Sequence, residues 1–149
     1  FGPNQYPEKV IPLFVTNLIQ GKKVPLYGTG KNVRDWIYVE DHCEGVLSVF
    51  DKGKSGDVYN ISAHEEWANL HLVKKLLGAL GKPQSLIQFV KDRPGHDRRY
   101  ALDSTKLRQE TGWKPKVGFE DGLKQTIQWY LENKTWLDHV RSGQYLKLN

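Results

Sequence analysis

Apolar residues recur at helical spacing in several stretches of the chain, and short β-type runs lie between them. Val10, Ile11, Phe14, Leu18 and Ile19 fall on one helical face behind Pro7-Glu8-Lys9, and Gly21 stops the run. Val24-Pro25-Leu26-Tyr27 predicts a short edge strand, because proline cannot donate to a ladder, and Gly28-Thr29-Gly30 turns the chain. Trp36-Ile37-Tyr38-Val39, rich in strong β formers, predicts a second strand. Asp41 followed by Glu44 has the pattern of an N-cap with its acidic partner, predicting a helix through Val46, Leu47, Val49 and Phe50 to Lys52. A loop over 53–57 and a third strand, Val58-Tyr59-Asn60-Ile61, follow. Asn69 then caps a helix carrying Leu70, Val73, Leu76, Leu77 and Leu80 as far as Gly81 and Pro83. Leu86 to Val90 predicts a fourth strand, and Asp103 opens a short helix that closes before Gly112. Phe119, Leu123, Ile127, Tyr130 and Leu131 mark a last long helix. No repeat or block of like charge divides the chain, so one α/β or α+β domain over residues 1–149 is expected.

Composition narrows the class. With 149 residues, 38% of them apolar, the chain can bury a core without disulfides or a structural metal. The lone Cys43 forms no internal disulfide, and the five histidines do not cluster with it, which excludes a zinc framework and fits a reduced, cytoplasmic setting. No apolar run approaches the roughly 20 residues that a membrane helix needs, so no membrane partner is expected. A chain that opens Phe1-Gly2-Pro3-Asn4 and contains no Met is expected to be part of a longer polypeptide. The net charge of +5 and pI near 9.2 point to an anionic partner, either nucleic acid or a phosphorylated small molecule. The 22 basic residues are interspersed with 17 acidic ones, which argues against a nucleic-acid-binding face.

Three local patterns imitate catalytic signatures. Gly28-Thr29-Gly30-Lys31-Asn32-Val33 begins like a dinucleotide fingerprint but lacks the third glycine and leads toward a strand, so it reads as a turn. Tyr27 with Lys31, and Tyr130 with Lys134, form Tyr-x-x-x-Lys pairs, in which an ammonium can lower a phenol's pKa. Two glycines separate the first pair, and Tyr130 belongs to an apolar stripe, so core packing and surface lysines explain both. His42 beside Asp41, and His64 beside Glu65 and Glu66, lack any nucleophile or metal-ligand spacing and read as structural or solvent-facing. The five tryptophans are scattered, as core or rim residues are. Arg93-Pro94-Gly95-His96-Asp97-Arg98-Arg99-Tyr100 differs from these, because it gathers three Arg and one His on a punctuated loop. Such a cluster suits a polyphosphate through bidentate guanidinium contacts, or it is a solvated loop with Asp97 pairing Arg98 or Arg99. Spacing leaves both readings open. Arg34 is a further candidate cation, or the ion-pair partner of Asp35 or Glu40.

Several longer blocks carry a resemblance. They are Phe1-Gly2-Pro3-Asn4-Gln5-Tyr6-Pro7-Glu8-Lys9-Val10-Ile11-Pro12, Tyr27-Gly28-x-Gly30, Arg34-Asp35-Trp36-x-Tyr38-Val39-Glu40-Asp41-His42, Gly56-Asp57-Val58-Tyr59-Asn60-Ile61, Asp92 to Tyr100, and Gly112-Trp113-Lys114-Pro115. Together they resemble the C-terminal part of the dTDP-glucose 4,6-dehydratases, in the extended short-chain dehydrogenase/reductase superfamily of nucleotide-sugar enzymes. The resemblance covers essentially the whole chain. Its first block and the Asp92 to Tyr100 stretch favour the dehydratases over epimerases or decarboxylases.

The resemblance implies a C-terminal substrate-binding domain, a small mixed sheet with helices, whose N-terminal NAD-binding Rossmann domain is missing from this sequence. It implies dTDP-glucose as ligand and a homodimeric full-length enzyme in deoxysugar biosynthesis. It further implies that Glu8 and Lys9 approach the nucleotide and its phosphates, that Pro25 and Tyr27 line the thymine pocket, and that Arg34 and Arg93 hold the diphosphate. Asn60 and His96 line the same pocket. The family's reaction oxidises the sugar at C4, eliminates water across C5 and C6, and returns the hydride to C6. Its glycine-rich loop, active-site Tyr-x-x-x-Lys and acidic residues lie upstream of the position of Phe1, so the expectation is no catalytic residue in this chain and no turnover by it alone. Residues 36–52 are expected to pack on the Rossmann domain, and the isolated chain to self-associate.

Overall fold

Residues 1–143 are described by a computed structural model, in which the helical stripes of the sequence become the core. Helix α1 (Val10–Ile19) buries Ile11, Phe14, Val15 and Leu18. Helix α3 (Asn69–Ala79) buries Leu72, Val73, Leu76 and Leu77, and α5 (Phe119–Glu132) buries Phe119, Leu123, Ile127 and Tyr130. These three faces close on one another and on Val24 and Leu26 of β1 (Val24–Tyr27), forming one continuous apolar cluster. Burial of that size, not helix propensity, is what holds elements this short. Among the described residues, no helix is long and apolar enough to cross a membrane.

Two small sheets flank the core, in a mixed α/β arrangement as expected. β1 pairs in parallel with β4 (Ile87–Val90), which follows a 3₁₀ turn at Gln84–Leu86, so that Tyr27 lies opposite Val90. β2 (Val33–Asp35) is central in the second sheet, antiparallel to β3 (Glu66–Ala68) and parallel to the two-residue β5 (Arg99–Tyr100). Helices α2 (Val39–Lys52), α4 (Thr105–Thr111) and α6 (Lys134–Ser142) complete the described architecture.

Four local expectations are corrected. The strand predicted at Trp36–Val39 lies three residues earlier, at Val33–Asp35, and Val39 already begins α2. Past Asp35 the Trp36 amide donates to Glu65 O at 3.0 Å; beyond it, Phe1 N donates to Ile37 O and Val39 N to Phe1 O, each at 2.8 Å. A single bridge of that kind is too little to make a ladder. Val58–Ile61 is irregular rather than a strand: Val58 is exposed, and the Tyr59 hydroxyl turns sideways to donate to Glu110 at 2.6 Å.

Asp41 does not cap α2, because Tyr38 stands at that position; Asp41 sits inside the first turn and reaches across to another segment. Asn69 is likewise the first residue of α3 and makes no capping bond. The Asp103 carboxylate does accept from the Thr105 amide at 2.8 Å at the start of α4, as a short polar side chain at a helix entrance should. The predicted last helix is α5, with Leu131 on its outer side and α6 following it after Asn133.

Candidate functional site

Where the two sheets come together, one loop is gripped from both sides. β4 ends at Val90, whose carbonyl accepts from the Gly28 amide at 2.9 Å, so the loop over 91–98 leaves directly beside the Gly28-Thr29-Gly30 turn. Gly28 has φ +53, a left-handed conformation that favours glycine, and a Cβ there would stand 2.9 Å from a carboxylate oxygen of Asp92, so the turn and the loop are in close contact. At its far end the loop joins the second sheet: Val33 N donates to Arg98 O at 2.8 Å. Asn32 Nδ2 and Arg34 Nη1 both donate to the Asp97 carbonyl, at 3.1 and 3.0 Å.

Alternation along β1 sends Val24 and Leu26 into the core and leaves Pro25 and Tyr27 together on the other face. The exposed Tyr27 ring meets the His96 ring edge to face, with centroids 6.0 Å apart. His96 Nδ1 lies 2.6 Å from an Asp92 carboxylate oxygen, and the same carboxylate accepts the Arg93 amide at 2.9 Å. These two donors, the imidazole first and Arg93 after it, hold the Asp92 carboxyl below the usual carboxylate range.

The structure therefore brings Tyr27, Arg34 and His96 into one ring of contacts around the loop that carries Arg93, with Pro25 on the same strand face as Tyr27. The pairings expected of the cations change: Arg34 pairs with neither Asp35 nor Glu40 but with the Asp97 carbonyl, and Arg99 forks onto Glu66 at 2.6 and 2.7 Å rather than onto Asp97, while the loop itself is exposed as a solvated basic loop would be. Glu8 and Lys9 stand at the entrance to α1 and pair with each other at 2.9 Å, both largely exposed. Asn60 is exposed on the irregular 58–61 segment. Among the described residues, no hydrogen bond or ring contact joins Glu8, Lys9 or Asn60 to the loop.

Sequence reasoning missed Asn32 and Asp92. The signals for Asp92 were its place four residues before His96 and at the head of the Asp92 to Tyr100 stretch that carries the resemblance. Burial pushes the Tyr130 phenol up to about 12, and its hydroxyl donates to Gln5 O at 2.5 Å, the reverse of what a lysine-activated base requires. Gly28-Thr29-Gly30 runs into β2 rather than a helix, so it offers no helix N-terminus to a dinucleotide.

A family model described as GDP-mannose 4,6 dehydratase matches residues 1–126. The chain belongs to the GDP-mannose 4,6 dehydratase family. Within that family it is 46% identical over 154 residues to a dTDP-glucose 4,6-dehydratase of Xanthomonas campestris, a match covering 97% of this chain and 44% of the relative. It is 51% identical to a protein of the same name from an Actinoplanes species, covering 91% of this chain and 42% of that one. Among solved structures, the dTDP-glucose 4,6-dehydratase of Streptomyces venezuelae with NAD and TYD bound superposes with a TM-score of 0.91 at 47% identity, over 94% of this chain and 44% of that one. The UDP-glucose 4-epimerase of Thermotoga maritima, with UDP-glucose, gives 0.85 at 31% identity, over 90% and 44%. As a member of the GDP-mannose 4,6 dehydratase family, the chain thus spans less than half the length of the relatives it matches.

Proposed function

We propose that this chain is the nucleotide-sugar-binding portion of a dTDP-glucose 4,6-dehydratase, an NAD-dependent lyase, with dTDP-glucose held by its nucleotide and diphosphate. The observation that carries the reading is the double tether of the 91–98 loop: Tyr27 and His96 meet on its one side, and Arg34 fastens Asp97 on the other. One Arg34 nitrogen is spent on that carbonyl and on Val33 O, and the remaining guanidinium N–H groups, with those of Arg93, are free to fork onto phosphate oxygens. Pro25 and Tyr27 form the wall for the base, with Asn60, Glu8 and Lys9 completing the site once ligand draws them in. The weak, exposed Glu8–Lys9 pair costs little to exchange. The described residues do not fit NAD, for want of a strand, glycine loop and helix in series; NAD and the oxidation, elimination and reduction steps belong to the part of the enzyme that the relatives possess beyond this match.

Arg93→Ala is expected to weaken binding of thymidine diphosphate by about 10- to 100-fold, the worth of a charge-assisted pair, in calorimetric titration. Binding that is unchanged in Arg93→Ala, or equally tight for uridine and guanosine diphosphates, would sink the assignment. The epimerase reading predicts a uridine preference instead. A nucleic-acid module predicts steeply salt-dependent binding of long polyanions.

The surface of α2 supports a further part of the reading, that the outer face of this helix packs on an NAD-binding domain; Trp36 and Tyr38, also expected to pack there, instead lie against Phe1 within this chain's own core. Val46, Leu47 and Phe50 share one exposed helix face, Phe50 at 86%. A contiguous apolar face of that kind needs a cover. The 149-residue chain alone is accordingly expected to self-associate at high micromolar concentration and to turn over no dTDP-glucose when given NAD. Sedimentation of a strict monomer counts against the packing, and turnover counts against the absence of catalytic groups. The complete enzyme is proposed to be a cytoplasmic homodimer.

A further inference from the structure

Asp35, the strand neighbour of Arg34, commits its whole carboxylate to the segment that follows Asn60. One oxygen accepts the Glu65 amide at 3.0 Å, and the other accepts the hydroxyl of Ser62, a residue only 2% exposed. The same hydroxyl accepts the His64 amide at 3.2 Å. His64 has φ +62, a left-handed conformation rare for a residue with a side chain, and such a turn persists only where its surroundings over-determine it. Here they do. The Ser104 amide donates to His64 Nε2 at 3.3 Å, and Ser62 O accepts from the Ser104 hydroxyl at 3.0 Å and from Arg108 Nη2 at 3.3 Å. The turn is thereby bolted to β2 on one side and to the start of α4 on the other. Asn60 lies two residues before Ser62, within about 7 Å of backbone from the bolt. Across the bolt, Arg34 is the residue next to Asp35 and holds the Asp97 carbonyl.

We propose that Ser62 is a positioning residue for Asn60, its bond to Asp35 fixing the backbone that carries Asn60 relative to Arg34. This rests on the diphosphate reading given above. Asn60 is exposed on irregular chain, with no ladder to hold it. A polar side chain in that setting adds to affinity only as far as its backbone is already fixed, because otherwise the ligand bears the cost of ordering it. On one flank the Tyr59 hydroxyl fastens the segment to Glu110 of α4, and on the other Ile61 packs beside Gly45 of α2. Among the described residues, the hydrogen bond nearest to Asn60 that reaches β2 is the one from Ser62 to Asp35. With that bond in place the ligand has only the Asn60 side chain to draw in. Arg93 stands apart from this device, since its loop is held at Gly28 and Asp97.

The test is a set of double-mutant cycles on thymidine diphosphate binding, with Ser62→Ala, Asn60→Ala and Arg93→Ala made singly and Ser62→Ala combined with each of the other two. Asn60→Ala is expected to weaken binding about fivefold in the otherwise unaltered protein, the worth of one neutral hydrogen bond, and by less than about twofold once Ser62 is replaced. Arg93→Ala is expected to keep its full cost in both backgrounds. If Asn60→Ala costs the same with and without the Ser62 hydroxyl, or if the costs of Asn60→Ala and Arg93→Ala shrink together, Ser62 serves the fold at large and the proposal is overturned. A second measurement does not depend on Ser62→Ala folding. Bound thymidine diphosphate should slow amide exchange at His64 and Glu65, which bond to the Ser62 hydroxyl and to Asp35, more than at Lys82, which bonds to Leu77 O beyond the far end of α3. Equal slowing at the three amides overturns the tether. Failure of the unaltered protein to bind thymidine diphosphate overturns the diphosphate reading itself, and this proposal with it, and so is told apart from additive losses in a protein that binds.

Discussion

Asp41→Ala is expected to cost the fold about 3 kcal/mol, read as a fall in the thermal midpoint of roughly 10 °C. The Asp41 side chain is buried, the residue being 2% exposed, and its two oxygens accept from the amides of Lys116 and Val117 at 3.0 and 2.9 Å. It thereby ties the first turn of α2 to the segment that leads from α4 into α5. Alanine would leave two partly buried backbone donors without their carboxylate acceptor, which is costlier than the bonds were worth. Asp41→Asn, which keeps one acceptor and sets an NH₂ group against the other donor, should fall between. A loss under about 1 kcal/mol in denaturant titration would mean that water reaches those amides.

The second large effect is expected at Gly45, in the middle of α2. A Cβ there would stand 2.7 Å from Ile61 and 3.2 Å from the Trp113 ring, so Gly45→Leu must drive the helix away from both. Overpacking of this kind costs about 2–3 kcal/mol. Ile61 ends the segment that carries Asn60, so the displacement should also weaken thymidine diphosphate binding, linking stability and affinity through one contact. Gly78 in α3 is the control: nothing lies within 4 Å of its added Cβ, and Gly78→Ala should stabilise by up to about 1 kcal/mol. Equal urea midpoints for Gly45→Leu and the unaltered protein would refute the packing argument.

The helices were legible wherever one face carried the core. The stripes of α1, α3 and α5 are the sides on which Leu18, Leu76 and Ile127 are buried, and period is a local property of sequence. The strands were legible only where they were apolar. Glu66-Trp67-Ala68 and Arg99-Tyr100 carry no alternation that marks a strand; they are strands because β2 lies between them, which is a fact about distant residues. The shift of β2 from Trp36–Val39 to Val33–Asp35 has the same origin, because pairing partners set the register and β propensity does not.

Asp41 shows the limit most sharply. An acidic residue opening a helix looks the same in sequence whether it serves its own first turn or, as here, the amides of a segment 75 residues on. At the candidate site, loop punctuation and charge marked Arg93 and His96, charge alone marked Arg34, and the resemblance marked Pro25 and Tyr27. Asn32 and Asp92 act through backbone and through another side chain, and no residue pattern announces that.

The Asp97 carbonyl, shared by Asn32 and Arg34, has a thermodynamic consequence. A loop with Pro94 and Gly95 in it would ordinarily wander, and a guest would have to forfeit part of its attraction to still it. Here Asn32 and Arg34 fasten the loop at Asp97 during folding, so under the proposed reading that share of the ordering cost does not fall on the ligand. Asn32, whose side-chain amide holds that carbonyl, should thus govern residence time.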